Sequence, residues 1–168
     1  MSKRAVVVFS GGLDSTVLLT KMIREGWEVY ALSVDYGQRH SHELSVARSI
    51  ASRLGVTHQV VDMSGVGLAL LFGSSQTSDI PVPEGHYAEE SMKQTVVPNR
   101  NMILMSLAVG WAVALKAEVV VYGAHGGDHT IYPDCRPEFV TALNEAVQLA
   151  DWHKVAIHGP FLELSKAD

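Results

Sequence analysis

Near the amino end, Ser10-Gly11-Gly12-Leu13-Asp14-Ser15 follows the apolar run Ala5-Val6-Val7-Val8-Phe9 without a break. Hydroxyls, glycines and one carboxylate in that order suit the binding of phosphate. A buried strand ends, two glycines let the main chain turn sharply and approach a ligand, and a helix opens at Ser15 or Thr16 with unpaired N–H groups facing the gap. Such amides, together with the positive end of the helix dipole, hold an anion without a basic side chain. No lysine follows the glycines and the G-x-G spacing is missing, so neither of the two common phosphate-loop patterns is present. Read without a ligand, the same residues are an ordinary strand–turn–helix with Asp14 or Ser15 as cap.

Three further segments carry groups that could do chemistry. Asp35-Tyr36-Gly37-Gln38-Arg39-His40 offers Arg39, whose paired N–H groups suit a phosphate or carboxylate. Val97-Pro98-Asn99-Arg100-Asn101 leads into a long apolar stretch, with Asn99 or Asn101 as cap and Arg100 placed to meet an anion. From Gly123 to Arg136 the chain is too polar and glycine-rich for a passive connection. There Asp128 and Asp134 are candidate acids, or acceptors for the N–H edge of a purine-like ring. His125 and His129 would ligate a metal together only on a helix, which the glycines between them oppose, so hydrogen bonding is the better reading. Cys135 is a weak candidate nucleophile, because Asp134 raises its pKa while Arg136 opposes that.

Strands expected at 5–9, 28–34, 58–61, 119–122 and 155–158 alternate with helices expected at 15–24, 41–54, 101–115 and 138–149. Strands that are near-continuous Val and Ala are buried on both faces, which implies an α/β fold with a doubly wound, mostly parallel sheet. Ligands of such sheets sit beyond the carboxyl ends of the strands near the switch point, so the loops after strands one, two and four should line one site. Segment 73–98 is rich in Ser, Pro, Gly and Thr and has no clear period; it reads as a lid over a substrate pocket.

The 168 residues, 47% of them hydrophobic, make one globular domain, and a net charge of −5 argues against a nucleic-acid partner. No apolar run approaches the ~20 residues needed to span a membrane, and Met1-Ser2-Lys3-Arg4 leads directly into a strand, which implies a cytoplasmic protein. The single cysteine, Cys135, excludes an internal disulfide and any all-cysteine metal site within the chain. Leu164-Ser165-Lys166-Ala167-Asp168 reads as a helix start with nothing after it to cap, so the natural polypeptide is expected to continue.

The six-residue loop resembles the pyrophosphate loop of the N-type ATP pyrophosphatases, the group containing GMP synthetase, NAD synthetase and argininosuccinate synthetase. Adding Tyr36-Gly37-Gln38-Arg39-His40, Val97 to Asn101, Tyr132-Pro133-Asp134-Cys135-Arg136-Pro137-Glu138-Phe139 and Leu164 to Asp168, the whole chain resembles the 7-cyano-7-deazaguanine synthases. That resemblance implies a Rossmann-like fold of the adenine nucleotide alpha hydrolase type, forming a single ligase domain over 1–168. It implies an ATP-dependent ligase that turns 7-carboxy-7-deazaguanine and ammonia into the nitrile precursor of queuosine. ATP would then be bound by Phe9, Ser10, Gly11, Gly12, Leu13, Asp14, Ser15, Thr16, Val17, Leu18 and Leu19, with Lys166 reaching the phosphates. Asp14 would act through Mg²⁺ and, with Arg39, Arg100 and Arg136, form the catalytic set. Tyr36, Gln38, Arg39, Asn101, Asp128, Tyr132 and Asp134 would hold the deazaguanine. The family's structural zinc sits on four cysteines that this chain lacks, so no metal ligand is assigned within it. Its expected partners are small molecules, not nucleic acid or membrane, and a homodimer is compatible with the resemblance. Two alternatives are a relative that adenylates a tRNA base, which would want a basic surface and a reactive cysteine pair, and an inactive nucleotide-binding fragment. AMP and ADP both remain open as products.

Overall fold

Strand β1 (Arg4–Val8) buries its middle residues on both faces, which requires helices on each side of the sheet. The computed structural model describes residues 2–36, 41–65, 70, 97, 99–129 and 132–165. Gln38, Arg39, Lys166 and all of the expected lid except Val97 lie outside the described residues. The elements that follow β1 are α1 (Leu13–Arg24), β2 (Glu28–Asp35), α2 (Ser41–Arg53) and β3 (Thr57–Asp62). Then come α3 (Arg100–Leu115), β4 (Val119–Val121), α4 (Pro137–Ala150) and β5 (Ala156–His158).

All five strands run parallel in the order β3-β2-β1-β4-β5. Alternation along β1 feeds two cores. Val6 joins Leu32, Met105, Ala108 and Ala112 on the α3 face, while Ala5, Val7 and Phe9 join Leu18, Leu19, Met22 and Ala47 on the face carrying α1 and α2. Phe9, Leu18, Leu19, Leu32 and Met105 are fully buried, each stabilising the fold by roughly 1.5–3 kcal/mol. The small side chains of Ala108 and Ala112, four residues apart and fully buried, let α3 lie close to the sheet.

The chain moves outward from β1 to β3, then crosses back through α3 to β4 on the other side of β1. Loops leaving β1 and β4 therefore diverge, and a crevice opens at that switch point. The start of α1 differs from expectation. Helix α1 starts at Leu13 with Gly12 as its cap and no side-chain cap bond. The Ser15 hydroxyl is not free to cap from Ser15 itself, because it turns back to donate to the Gly12 carbonyl at 3.1 Å. Among the described residues no helix is long and apolar enough to cross a membrane.

Candidate active site

Beyond the carboxyl ends of β1, β2 and β4 lies a cavity of about 390 Å³. Its floor is the glycine loop. Ser10 and Ser15 hydroxyls lie 3.1 Å apart, the Ser10 amide donates to Ser15 Oγ at 3.3 Å, and the Gly12 amide donates to Ser10 Oγ at 3.2 Å. The hydroxyls thus brace the loop from within, and Thr16 Oγ1 adds a bond to the Gly12 carbonyl at 2.8 Å. Gly11 has φ +82, and a Cβ there would lie 2.9 Å from the Ala47 amide nitrogen in α2. Only glycine permits this bend against the helix behind it.

From behind, β2 steadies the last residue before the loop. Ser33 Oγ donates to the Phe9 carbonyl and accepts from His58 Nε2 at 2.7 Å. The His58 ring also meets the Phe9 ring edge-on at 5.8 Å. Burial, with the Arg48 charge as a lesser cause, holds the His58 pKa below its ordinary value.

The opposite wall comes from α3 and the loop after β4. The Asp134 carboxylate accepts from the Asn101 amide at 3.0 Å, and Asn101 Nδ2 donates to Cys135 Sγ at 3.2 Å. Arg100 lies over the Tyr132 ring at 5.9 Å. Burial works against its charge, but hydrogen-bonded Tyr36 and the Asp134 carboxylate outweigh that, and its pKa rises. Burial, then the Asp134 and Asp128 charges, push the Cys135 thiol up to about 12. A protonated, buried thiol at neutral pH removes the nucleophile reading.

In the loop after β4, His125 is buried next to the cavity residues Ala124 and Asp128. Its Nδ1 accepts from the Gly127 amide at 3.1 Å, which leaves the ring proton on Nε2, 3.6 Å from Asp128 Oδ2 and 3.9 Å from Asp14 Oδ2. The Asp128 carboxylate in turn accepts from the His125 amide at 3.2 Å. One turn of 3₁₀ helix, Gly126–Asp128, separates His125 from His129, so the pair does not share a helical face.

The cavity brings together Phe9, Ser10, Gly12, Asp14, Ser15, Tyr36, Arg100, Asn101, Asp128 and Tyr132 from the sequence-derived set. Other members of that set stand elsewhere. Leu18 and Leu19 are fully buried in the core, while Leu13 at 75% and Val17 at 50% exposure face away from it. Arg136 Nε is engaged with the His129 carbonyl at 2.8 Å, and Asp134 with the start of α3. Ser33, Glu43 and Tyr122 also line the cavity and were not anticipated. The one available signal was Tyr122 itself, a tyrosine between an all-valine strand and a glycine at the sheet's carboxyl edge.

A glycine loop at the switch point of a parallel sheet, opening a helix whose first turn has no side-chain cap, defines a doubly wound α/β domain with a cradle suited to an anion. The fold agrees with NH3-dependent NAD synthetase from Campylobacter jejuni, at a TM-score of 0.57 and 19% identity over 99% of this chain and 60% of that one. The family model of queuosine biosynthesis protein QueC matches residues 4–168, and the chain belongs to that family. A 7-cyano-7-deazaguanine synthase from Hahella chejuensis is 58% identical, covering 98% of this chain and 71% of that protein. The one from Pseudoalteromonas atlantica is also 58% identical, covering 100% of this chain and 77% of its own length. The chain is therefore an enzyme of the queuosine pathway family.

Proposed function

We propose that the chain is an ATP-dependent ligase of the cytoplasm that converts 7-carboxy-7-deazaguanine and ammonia into 7-cyano-7-deazaguanine. The observation that carries this reading is the uncapped start of α1, set behind Gly11 and Gly12 on the floor of a cavity with Arg100 and Asn101 on its far wall.

The chemical difficulty is that oxide does not leave a carbonyl carbon. Transfer of an adenylyl or phosphoryl group from ATP to a carboxylate oxygen makes that oxygen leave with the transferred group, and ammonia takes its place to give the amide. A second activation, on the amide oxygen, lets it depart while the nitrogen loses its two protons, leaving the nitrile. Loop amides around Gly11 and Gly12 hold the phosphates, aided by Ser10, Ser15 and Thr16. Arg100 balances developing negative charge, and Arg39 and Lys166 are assigned the same work by the family resemblance. Asn101, Asp128 and Tyr132 face the heterocycle. Catalysis of this kind is mostly positioning and charge stabilisation.

Mg²⁺ fits the donor set: a carboxylate, Asp14, stands at the rim of a phosphate loop, and magnesium favours one or two carboxylates plus phosphate oxygens. When bound it would neutralise phosphate charge. Four-thiolate zinc does not fit, since the only cysteine is Cys135 and it is buried against Asn101.

Incubating the 168-residue chain with 7-carboxy-7-deazaguanine, ammonia and ATP should yield the nitrile, with AMP or ADP identified among the products. ATP binding without nitrile formation would leave a nucleotide-binding module and defeat the ligase assignment.

A further inference from the structure

Tyr122 directly follows β4 and is 4% exposed. The residue lines the cavity, and its hydroxyl is buried without a hydrogen-bond partner among the described residues. A buried hydroxyl left unpaired is destabilising, and phenylalanine would fill the same space without that penalty. The ring is held in place: a Cβ on Gly159 would come within 3.3 Å of Tyr122 Cε1. The two carboxylates whose charges reach it are engaged elsewhere: Asp134 accepts from the Asn101 amide and Asp128 from the His125 amide.

The hydroxyl is a donor. Burial, followed by the neighbouring acidic groups of Cys135, Asp134 and Asp128, raises its pKa, so it keeps its proton and can donate it to an acceptor. Tyr122 belongs to the core cluster on the α3 face, whereas the phosphate loop runs into α1 on the other face. That placement favours the reaction's second ligand over the nucleotide.

We propose that Tyr122 is a substrate-binding residue whose hydroxyl donates a hydrogen bond to a ring nitrogen or carbonyl oxygen of the deazaguanine heterocycle. The assignment rests on the function proposed above. Adenine offers acceptors of the same kind, so the test must separate the two ligands.

Calorimetric titration of 7-carboxy-7-deazaguanine and, separately, of ATP into the wild-type chain and Tyr122→Phe makes that separation, alongside thermal unfolding of both proteins without ligand. Loss of one buried hydrogen bond should weaken deazaguanine binding about tenfold in Tyr122→Phe. ATP affinity should stay the same, and the ligand-free variant should melt no lower than wild type, because it sheds an unpaired hydroxyl. That opposition, tighter fold and weaker ligand, is not expected of a merely structural tyrosine. Equal deazaguanine affinity in the two proteins overturns the assignment alone. Weakened ATP binding with unchanged deazaguanine binding gives the hydroxyl to adenine instead, and a lower melting point gives it to the protein. A wild type that binds no deazaguanine sinks the proposed function and this residue's role with it.

Discussion

Two of the helices that line the cavity, α1 and α3, begin in different ways. Helix α3 has Asn99 as its cap, in the left-handed region at φ 54, and a carboxylate from 33 residues downstream, Asp134, on its Asn101 amide. Helix α1 has Gly12 as its cap and no side-chain cap. Asp134 thus satisfies a first-turn amide of α3 from a distant segment, whereas α1 carries its own carboxylate, Asp14, in the first turn and has no side-chain bond from its cap. Under the proposed function the two walls would have different tasks: the α1 side would attract phosphate, and the α3 side would face a flat heterocycle.

The most damaging way to break this contrast is Gly11→Ala. Its Cβ would press on the backbone of Ala47 at 2.9–3.0 Å while φ stays at +82. Strain alone costs about 1–3 kcal/mol, and displacement of the loop by an ångström should lower ATP-dependent turnover on the order of 100-fold. Gly55→Ala is the matched control, with φ +67 and nothing within 4 Å of the added Cβ. It should show the stability loss in denaturant unfolding without the loss of turnover.

Gly12→Asp tests the electrostatic half by adding a capping carboxylate at the start of α1, beside Asp14. Gly12 has φ −73, so a side chain is tolerated there, although its Cβ would sit 3.3 Å from Ser10 Oγ. The ligand-free protein should be no less stable, gaining up to about 1 kcal/mol. ATP should bind at least roughly tenfold more weakly, the equivalent of 1.4 kcal/mol. Unchanged ATP affinity would mean the phosphates lie elsewhere. Asp134→Asn reverses the experiment on the other wall: it keeps an acceptor for the Asn101 amide but removes the charge. Thermal unfolding should report a loss of about 1 kcal/mol, with ATP affinity nearly unchanged.

This contrast also explains what could be read from the residues in order. Every bond that braces the phosphate loop spans five residues or fewer, so the motif carries its own geometry. The buried Val and Ala runs likewise announce a sheet covered on both faces. The α3 wall has no such local signature. Asp134 and Asn101 each looked like substrate contacts, and only the fold shows them bonded first to each other. Leu18 and Leu19 follow the loop in sequence, but the helical turn directs them into the core. Ser15 looked like a cap, yet its hydroxyl is occupied within the loop. Tyr122 carried only a weak signal, since a tyrosine at a strand end is ordinary until its hydroxyl is seen buried without a partner.

The smallest expected effect concerns how the α1 side is held from behind. His58 supports the residue before the loop through Ser33, whose hydroxyl bonds the Phe9 carbonyl, and through its own edge-on contact with the Phe9 ring. Because burial lowers the folded-state pKa of His58, the unfolded chain takes up the proton first as pH falls. The stability contributed by neutral His58 is thus complete above about 6.5, the unfolded value, and is lost as pH drops through the lower folded-state pKa. Melting temperature should decline by a few degrees at most between pH 7.5 and 5.5 from this cause. In His58→Gln, which keeps a neutral N–H for Ser33, that part of the decline should vanish while the α3 wall is untouched. An identical pH slope in the two proteins would show that His58 is not desolvated, and the support behind Phe9 would then fall to Ser33 alone.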